Sequence, residues 1–122
     1  MERILVVDDE VEVCNALKDF LAQKGYEVHT AQDGRNAIKK VREVCPHIVL
    51  LDIIMPGMGG IHVLKQVKKI DPSIGVIMVT AVDDHETALK TLDLGAFDYI
   101  TKPMDLNYLE NVLMVKILDH MV

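Results

Sequence analysis

The sequence contains no tryptophan, only two cysteines and 4% aromatic residues. Cys14 and Cys45 stand far apart and outside any Cys-x-x-Cys pattern, which argues against a disulfide framework or a zinc site. No apolar run approaches the roughly 20 residues of a membrane span. The run Ile4–Val7 is also too short for the core of a signal peptide. We therefore expect a cytoplasmic protein that makes no contact with a membrane.

Positive charge is scarce as well. Thirteen Lys and Arg residues stand against nineteen Asp and Glu residues, so the formal net charge is -6. A negative surface repels phosphate backbones, and we expect no direct binding of nucleic acid by this domain. The 122 residues are half hydrophobic, with no repeat or linker-like segment, and this predicts one domain over 1–122 with a core of its own.

Short apolar runs alternate with helical patterns along the whole chain. The strand candidates are 4–7, 26–31, 48–51, 76–79 and 97–100. Each is followed by apolar residues at helical spacing, and Asp105 is the expected N-cap of the last helix. Strict alternation of strand and helix favours an α/β fold, because parallel neighbours require a helical crossover.

The composition of the strands also predicts their order. The first, third and fourth candidates are continuous apolar runs, typical of strands that are covered on both faces. The second and fifth contain polar residues and fit the edges. With right-handed crossovers, the simplest arrangement is a five-stranded parallel sheet of order 2-1-3-4-5. Helices on both faces complete a three-layer, doubly wound, flavodoxin-like fold.

Acidic residues follow two neighbouring strands of this sheet. Asp8 and Asp9 come directly after the first strand and Asp52 directly after the third. In such sheets ligands bind beyond the carboxyl ends of the strands, at the point where the crossovers diverge. Three carboxylates placed there repel one another unless a cation lies between them. An incomplete set of oxygen ligands that leaves room for water suits Mg²⁺ better than Ca²⁺.

The other strand ends add groups of complementary chemistry. Thr80 follows the fourth strand with a hydroxyl, and Lys102 follows the fifth with an ammonium group. Each of these residues alone is common in surface turns and carries little information. Their joint placement at one edge, with helix N-termini nearby, predicts a site that handles a phosphoryl group.

The chain resembles receiver domains of two-component response regulators. The matching stretches are ILVVDDE at 4–10, VHTAQDGRNA at 28–37, HIVLLDIIMPGMGGIHVL at 47–64, VIMVTA at 76–81 and GAFDYITKPMDL at 95–106. The resemblance implies that Asp52 accepts a phosphoryl group from a sensor histidine kinase or a phosphotransfer protein. It also implies Mg²⁺ held by Asp8, Asp9, Asp52 and the carbonyl of Ile54.

Further roles are implied by the same resemblance. Lys102, the Thr80 hydroxyl and the N–H of Ala81 would contact the phosphoryl oxygens. Tyr99 would be an aromatic switch that turns inward with Thr80, although an edge-strand tyrosine can also simply pack. A cis peptide bond is implied at Lys102-Pro103. The fourth helix, fifth strand and fifth helix would control an output partner or form a homodimer.

The last helix has more apolar residues than one buried face requires: Val112, Met114, Val115, Leu118, Met121 and Val122. Dimerisation, a segment removed after the last residue, or a few exposed hydrophobic side chains would each account for them.

Three classes of function are compatible with these features. A phosphoacceptor switch that catalyses only its own modification fits the complete set of acidic, threonine and lysine positions. A binding module that signals without phosphate would be favoured by a missing acid or lysine. A phosphatase with an aspartyl nucleophile would carry a second acid two residues after Asp52, where this chain has Ile54.

Overall fold

The computed structural model describes the backbone of residues 1–121 and the side chains of residues 1–119, so the predictions for Met121 and Val122 lie outside the described side chains. The strands are β1 Arg3–Val7, β2 Glu27–Ala31, β3 Ile48–Leu51, β4 Gly75–Thr80 and β5 Asp98–Thr101. The helices are α1 Val11–Gln23, α2 Gly34–Val44, α3 Gly60–Ile70, α4 His85–Asp93 and α5 Leu106–Met121. Within these bounds, none of the helices combines the length and apolar character that crossing a bilayer requires.

The five strands form one parallel sheet of order β2-β1-β3-β4-β5, which confirms the predicted fold and topology. The register aligns the carboxyl ends of the three central strands: Val7 lies beside Leu51, and Leu51 beside Met78. Residues that follow these strands therefore emerge at the same edge of the sheet.

Alternate residues of each strand point to opposite faces, so one sheet supports two cores. Leu5, Leu51 and Met78 pack with residues of α2 and α3 on one face. Val6, Leu50 and Ile77 pack with residues of α1 and α5 on the other. The sheet therefore forms the middle layer of three.

The edge strands differ from the central strands as the sequence predicted. Every residue of β3 and β4 is buried, whereas β2 and β5 contain half-buried and exposed positions. Six strand bounds, in β1, β2, β4 and β5, differ by one residue from the prediction, and β3 agrees at both ends. Tyr26 donates its N–H to Leu21 in the turn that ends α1, so β2 begins at Glu27. Phe97 donates its N–H to Val76, one residue before β5 begins.

Candidate functional site

Buried polar side chains lie together at the carboxyl edge of the sheet. Asp8 and Asp52 are only 3% and 6% exposed, and Thr80 is fully buried. The N–H of Asp52 donates to the carbonyl of Val7 at 3.0 Å, and that of Asp8 to Ala31 at 3.1 Å. The strand ladder thus continues into both aspartates and fixes their backbones.

Lys102 lies between the two buried carboxylates. Its Nζ is 2.6 Å from Oδ2 of Asp8 and 3.2 Å from Oδ2 of Asp52. Its side chain is only 15% exposed. Burial by itself lowers the pKa of Lys102, but the hydrogen bond with Asp8 and the charge of Asp52 outweigh it and raise this pKa above its ordinary value. The lysine therefore stays charged and offsets part of the repulsion between the carboxylates.

A group of carboxylates suited to a hard cation lies beside this lysine. One carboxylate oxygen from each of Asp8, Asp9 and Glu10 lies within 4.8 Å of the others. Asp8 is buried, whereas Asp9 and Glu10 are exposed. All three donors are oxygens, and the exposed side leaves coordination positions for water, so the residues fit Mg²⁺.

Two of the predicted metal ligands fall outside that group. Asp52 pairs with Lys102, as Asp8 also does, and the N–H of Ile54 points toward Asp52, 3.4 Å from its Oδ1. The predicted ligand in this residue is its carbonyl. Glu10 was not predicted as a member of the group. Its only signal in the sequence is that it directly follows the acidic pair, and its N–H donates to Oδ1 of Asp8 at 2.9 Å.

The backbone around Asp52 is packed closely against the start of α3. A Cβ atom added to Gly60 would lie 1.9 Å from the carbonyl oxygen of Asp52. The N–H of Gly60 donates to Ile53 at 2.8 Å. Only glycine permits this approach, and sequence reasoning missed it because a Gly-Gly pair before a helix reads as an ordinary loop.

Thr80 and Tyr99 are joined through one residue of the β4-α4 loop. The N–H of Val82 donates to the Thr80 hydroxyl at 3.3 Å, and the Val82 carbonyl accepts a hydrogen bond from the Tyr99 hydroxyl. Burial raises the pKa of Tyr99, with smaller contributions from Asp84, Asp83 and Asp52. Val82 had not been predicted to have a role, because nothing in its type or spacing indicates these bonds.

The two remaining predicted positions lie on the loops that close the site. Ala81 is exposed directly after β4. The N–H of Lys102 donates to the carbonyl of Thr80 at 2.8 Å, which ties the end of β5 to that of β4. The cis peptide bond expected at Lys102-Pro103 is present.

The family model for the response regulator receiver domain matches residues 4–114. The chain belongs to this family. Receiver domains serve two-component signal transduction as phosphoacceptors, and the fold and the acidic edge described above agree with that membership.

Several known proteins are similar to this receiver domain over most of its length. The regulatory protein AtoC of Escherichia coli is 42% identical over 113 residues, which cover 93% of this chain and 24% of AtoC. The chemotaxis protein CheY of Thermotoga maritima is 40% identical over 103 residues, which cover 84% of this chain and 86% of CheY. The chain thus spans about a quarter of the first of these relatives and most of the second.

Solved structures agree with the same assignment. A response regulator receiver domain from Clostridium thermocellum superimposes with a TM-score of 0.94 at 31% identity, covering 99% of this chain and 98% of that one. The CheX-CheY-BeF3-Mg complex from Borrelia burgdorferi gives a TM-score of 0.90 at 32% identity, covering 93% and 87%.

Proposed function

We propose that this receiver domain is a Mg²⁺-dependent switch that accepts a phosphoryl group on Asp52 from the phosphohistidine of a sensor histidine kinase or a phosphotransfer protein. The observation that carries the proposal is the position of Lys102, within 3.2 Å of both Asp8 and Asp52 at the carboxyl edge of the sheet. A nucleophile, a positive charge and a cluster of oxygen ligands are the parts that phosphoryl transfer requires.

In the proposed reaction an oxygen of the Asp52 carboxylate attacks phosphorus and forms an acyl phosphate as the phosphorus–nitrogen bond of the donor breaks. The electron pair of that bond returns to the histidine of the donor. Lys102 would move from its partners to the phosphoryl oxygens, with the Thr80 hydroxyl and the Ala81 N–H as further donors. Hydrolysis of the acyl phosphate by water would return Asp52 to its carboxylate form.

Asp8, Asp9 and Asp52, with the carbonyl of Ile54, are the proposed Mg²⁺ ligands, and the geometry adds Glu10 as a nearby carboxylate. When bound, Mg²⁺ would neutralise charge that accumulates on the phosphoryl oxygens. A related structure contains both BeF3 and Mg, which supports the same chemistry here.

An apolar groove of this chain, next to the carboxylates, is the proposed docking surface for the phosphodonor. This groove of about 550 Å³ runs between the start of α1 and the β5-α5 loop. Val13, Leu17, Pro103 and Met104 line it, and Lys102 lies at its site end. A donor helix packed there would place its histidine near Asp52.

The link from Thr80 through Val82 to Tyr99 supports the switch. If the Thr80 hydroxyl turns to a phosphoryl oxygen, it releases the N–H of Val82 and the loop that accepts the Tyr99 hydroxyl can rearrange. The change would reach the surface formed by α4, β5 and α5.

That surface exposes apolar side chains, which supports an output partner or a homodimer there. Leu89 and Leu92 of α4 are 50% and 41% exposed, and Tyr108 and Val115 of α5 are 50% and 56% exposed. The two free cysteines fit a reducing cytoplasm as the place of action. Direct contact with nucleic acid or membrane is not part of the proposed function.

The test is phosphorylation by a small phosphodonor, acetyl phosphate, with and without Mg²⁺, followed by intact mass and oligomeric state. We expect a Mg²⁺-dependent gain of one phosphoryl group that is absent in Asp52→Asn and retained in Asp19→Asn, a matched change on the exposed side of α1. Beryllium fluoride should reproduce any change in oligomeric state. Wild-type protein that gains no phosphoryl group would favour the phosphate-independent module. Sustained hydrolysis of an added phosphomonoester would favour the phosphatase.

A further inference from the structure

We infer that the outer face of α2 and α3 is a docking surface for an acidic amphipathic helix of a partner protein. We call it the basic face and define it by the exposed or half-buried cations of the two helices: Arg35, Lys39, Lys40, Arg42, Lys65 and Lys69. The inference does not depend on phosphorylation of Asp52.

The charge of the chain is divided very unevenly. Helices α2 and α3 contain seven of the thirteen Lys and Arg residues and only one of the nineteen acidic residues, Glu43. The rest of the chain therefore has six basic and eighteen acidic side chains. The net charge of -6 hides a positive face, and such a face attracts a ligand of opposite charge.

Most of these cations have no acidic partner among the side chains of residues 1–119. Among the described side chains, Arg35, Arg42, Lys65 and Lys69 form no ion pair. Lys39 is 3.9 Å from Glu43, but that pair is largely exposed and weak. A partner carboxylate would therefore meet cations that need not first break another contact.

An apolar groove lies beside the α2 cations of the basic face. This groove of about 410 Å³ is lined by Arg35, Ile38, Lys39, Arg42 and Glu43 of α2 and by Met58 of the β3-α3 loop. Ile38 and Met58 are half-buried. Positions 35, 38, 39 and 42 form one helical stripe of about 10 Å, which corresponds to about two turns of a helix laid alongside it.

This combination favours a protein helix over nucleic acid. Leucine-like side chains of an amphipathic helix would cover the groove while flanking carboxylates meet the cations. A phosphate backbone has no apolar group for Ile38 and Met58. The two helices also contain no Phe, Tyr or Trp on which a base could stack.

The experiment uses the full chain and a labelled helix-forming peptide of Leu, Ala and Glu, with the leucines on one stripe and the glutamates flanking it. Binding is followed by fluorescence anisotropy at low salt. The test variant is Arg35→Glu with Arg42→Glu. The control is Lys18→Glu with Lys90→Glu, which changes the net charge equally at exposed positions outside the basic face. Circular dichroism and urea unfolding check that both variants fold.

We expect affinity for the peptide to fall at least about tenfold in the test variant and less than about twofold in the control. A peptide of the same composition without the apolar stripe should bind several-fold more weakly. Absence of peptide binding, equal losses in the two variants, or equal binding of the rearranged peptide would overturn the inference. Duplex DNA or anionic vesicles bound more tightly than the peptide, and lost in the test variant, would assign the basic face to another class of ligand and also overturn it.

Discussion

Lys102 and Lys68 lie at opposite ends of the same sheet, and their charges have opposite surroundings. Lys102 contacts the carboxylates of Asp8 and Asp52 at the carboxyl edge. Lys68, at the amino edge, donates to the backbone carbonyls of Pro72 and Ile74 at 2.8 and 2.9 Å. Burial lowers the pKa of both lysines. At Lys68 the charge of Lys116 adds to that effect and its pKa falls, whereas at Lys102 the carboxylates reverse it.

The difference separates a lysine that joins backbone segments from the lysine for which we propose a chemical role. Two backbone carbonyl oxygens accept hydrogen bonds from Lys68, and these bonds join the end of α3 to the start of β4. At Lys102, a buried ammonium group and two buried carboxylates have all lost hydration. The attraction between the ammonium group and the carboxylates must offset that loss, so the arrangement is sensitive to any ion that enters. Both lysines are partly buried, so the charges around each lysine distinguish the two ends of the sheet better than the extent of burial does.

The largest expected effect on stability and labelling is the difference between replacing Lys102 and replacing Lys68. Lys102→Met leaves two buried carboxylates without their cation, so we expect a loss of about 3–5 kcal/mol in the free energy of unfolding without Mg²⁺. Acetyl phosphate labelling of Asp52 should slow by about a hundredfold or more, because a donor to the phosphoryl oxygens is lost. Lys68→Met should cost about 1 kcal/mol and leave labelling unchanged.

Urea unfolding and labelling rates measure both quantities, and Lys90→Met on the exposed side of α4 is the control. Equal losses of labelling in Lys102→Met and Lys68→Met would remove the distinction between the two ends of the sheet.

A smaller difference in stability should come from adding a Cβ to Gly60, at the carboxyl edge of the sheet, and to Gly75, at its amino edge. A Cβ on Gly60 meets the backbone of Asp52 at 1.9 Å, whereas a Cβ on Gly75 meets the flexible side chain of Lys116 at 2.6 Å. Gly60→Ala should therefore cost about 3 kcal/mol or more, because the start of α3 must move. Gly75→Ala should change stability by less than about 1 kcal/mol, because Lys116 can rotate away.

Thermal and urea unfolding of the two variants compare them directly. A Gly60→Ala protein as stable as wild type would show that the contact between α3 and the Asp52 carbonyl yields easily, and the site would then be less rigid than its packing indicates.

The two lysines also predict opposite pH effects in the alkaline range. The folded pKa of Lys102 is raised, so the stability it contributes is complete below the ordinary lysine value of 10.5 and is lost as the pH rises through the folded pKa. The folded pKa of Lys68 is lowered, so between that pKa and 10.5 the unfolded chain holds more protons and stability rises with pH.

Free energies of unfolding between about pH 9 and pH 11 test this. Compared with wild type, Lys102→Met should lose less stability as the pH rises, and Lys68→Met should gain less stability as the pH rises. Tyr26 and Tyr99, whose pKa values are raised by burial, add an alkaline loss that is common to all three proteins and cancels in the differences. A change of the same sign in both variants would contradict the prediction.

The sequence predicted those parts of the molecule that depend on pattern. Continuous apolar runs located β3 at 48–51, and polar residues in the second and fifth strands identified the edges. Asp105 caps α5 as expected, accepting the N–H of Asn107 at 2.8 Å. The aspartates at strand ends were found because strand ends in a parallel sheet share an edge.

Features that depend on loop conformation were not predicted. The approach of Gly60 to Asp52, the position of Glu10 and the hydrogen bonds of Val82 arise from turns without periodicity. The basic face was missed for another reason. A net charge summed over the chain cannot show that α2 and α3, which hold seven of the thirteen Lys and Arg residues, are side by side in the fold.

The smallest predicted effect concerns the link between Thr80 and Tyr99. Tyr99→Phe keeps the ring and removes only the hydrogen bond to Val82, so stability should fall by about 1 kcal/mol while acetyl phosphate labelling of Asp52 stays within about twofold of wild type. If the link is a switch, beryllium fluoride should change the amide NMR signals of α4 and β5 in wild type and change them less in Tyr99→Phe. Tyr108→Phe, an exposed tyrosine on α5, is the control. Identical responses in Tyr99→Phe and wild type would mean that Tyr99 only packs at the edge of the sheet, and the signal from Asp52 would then leave by another route.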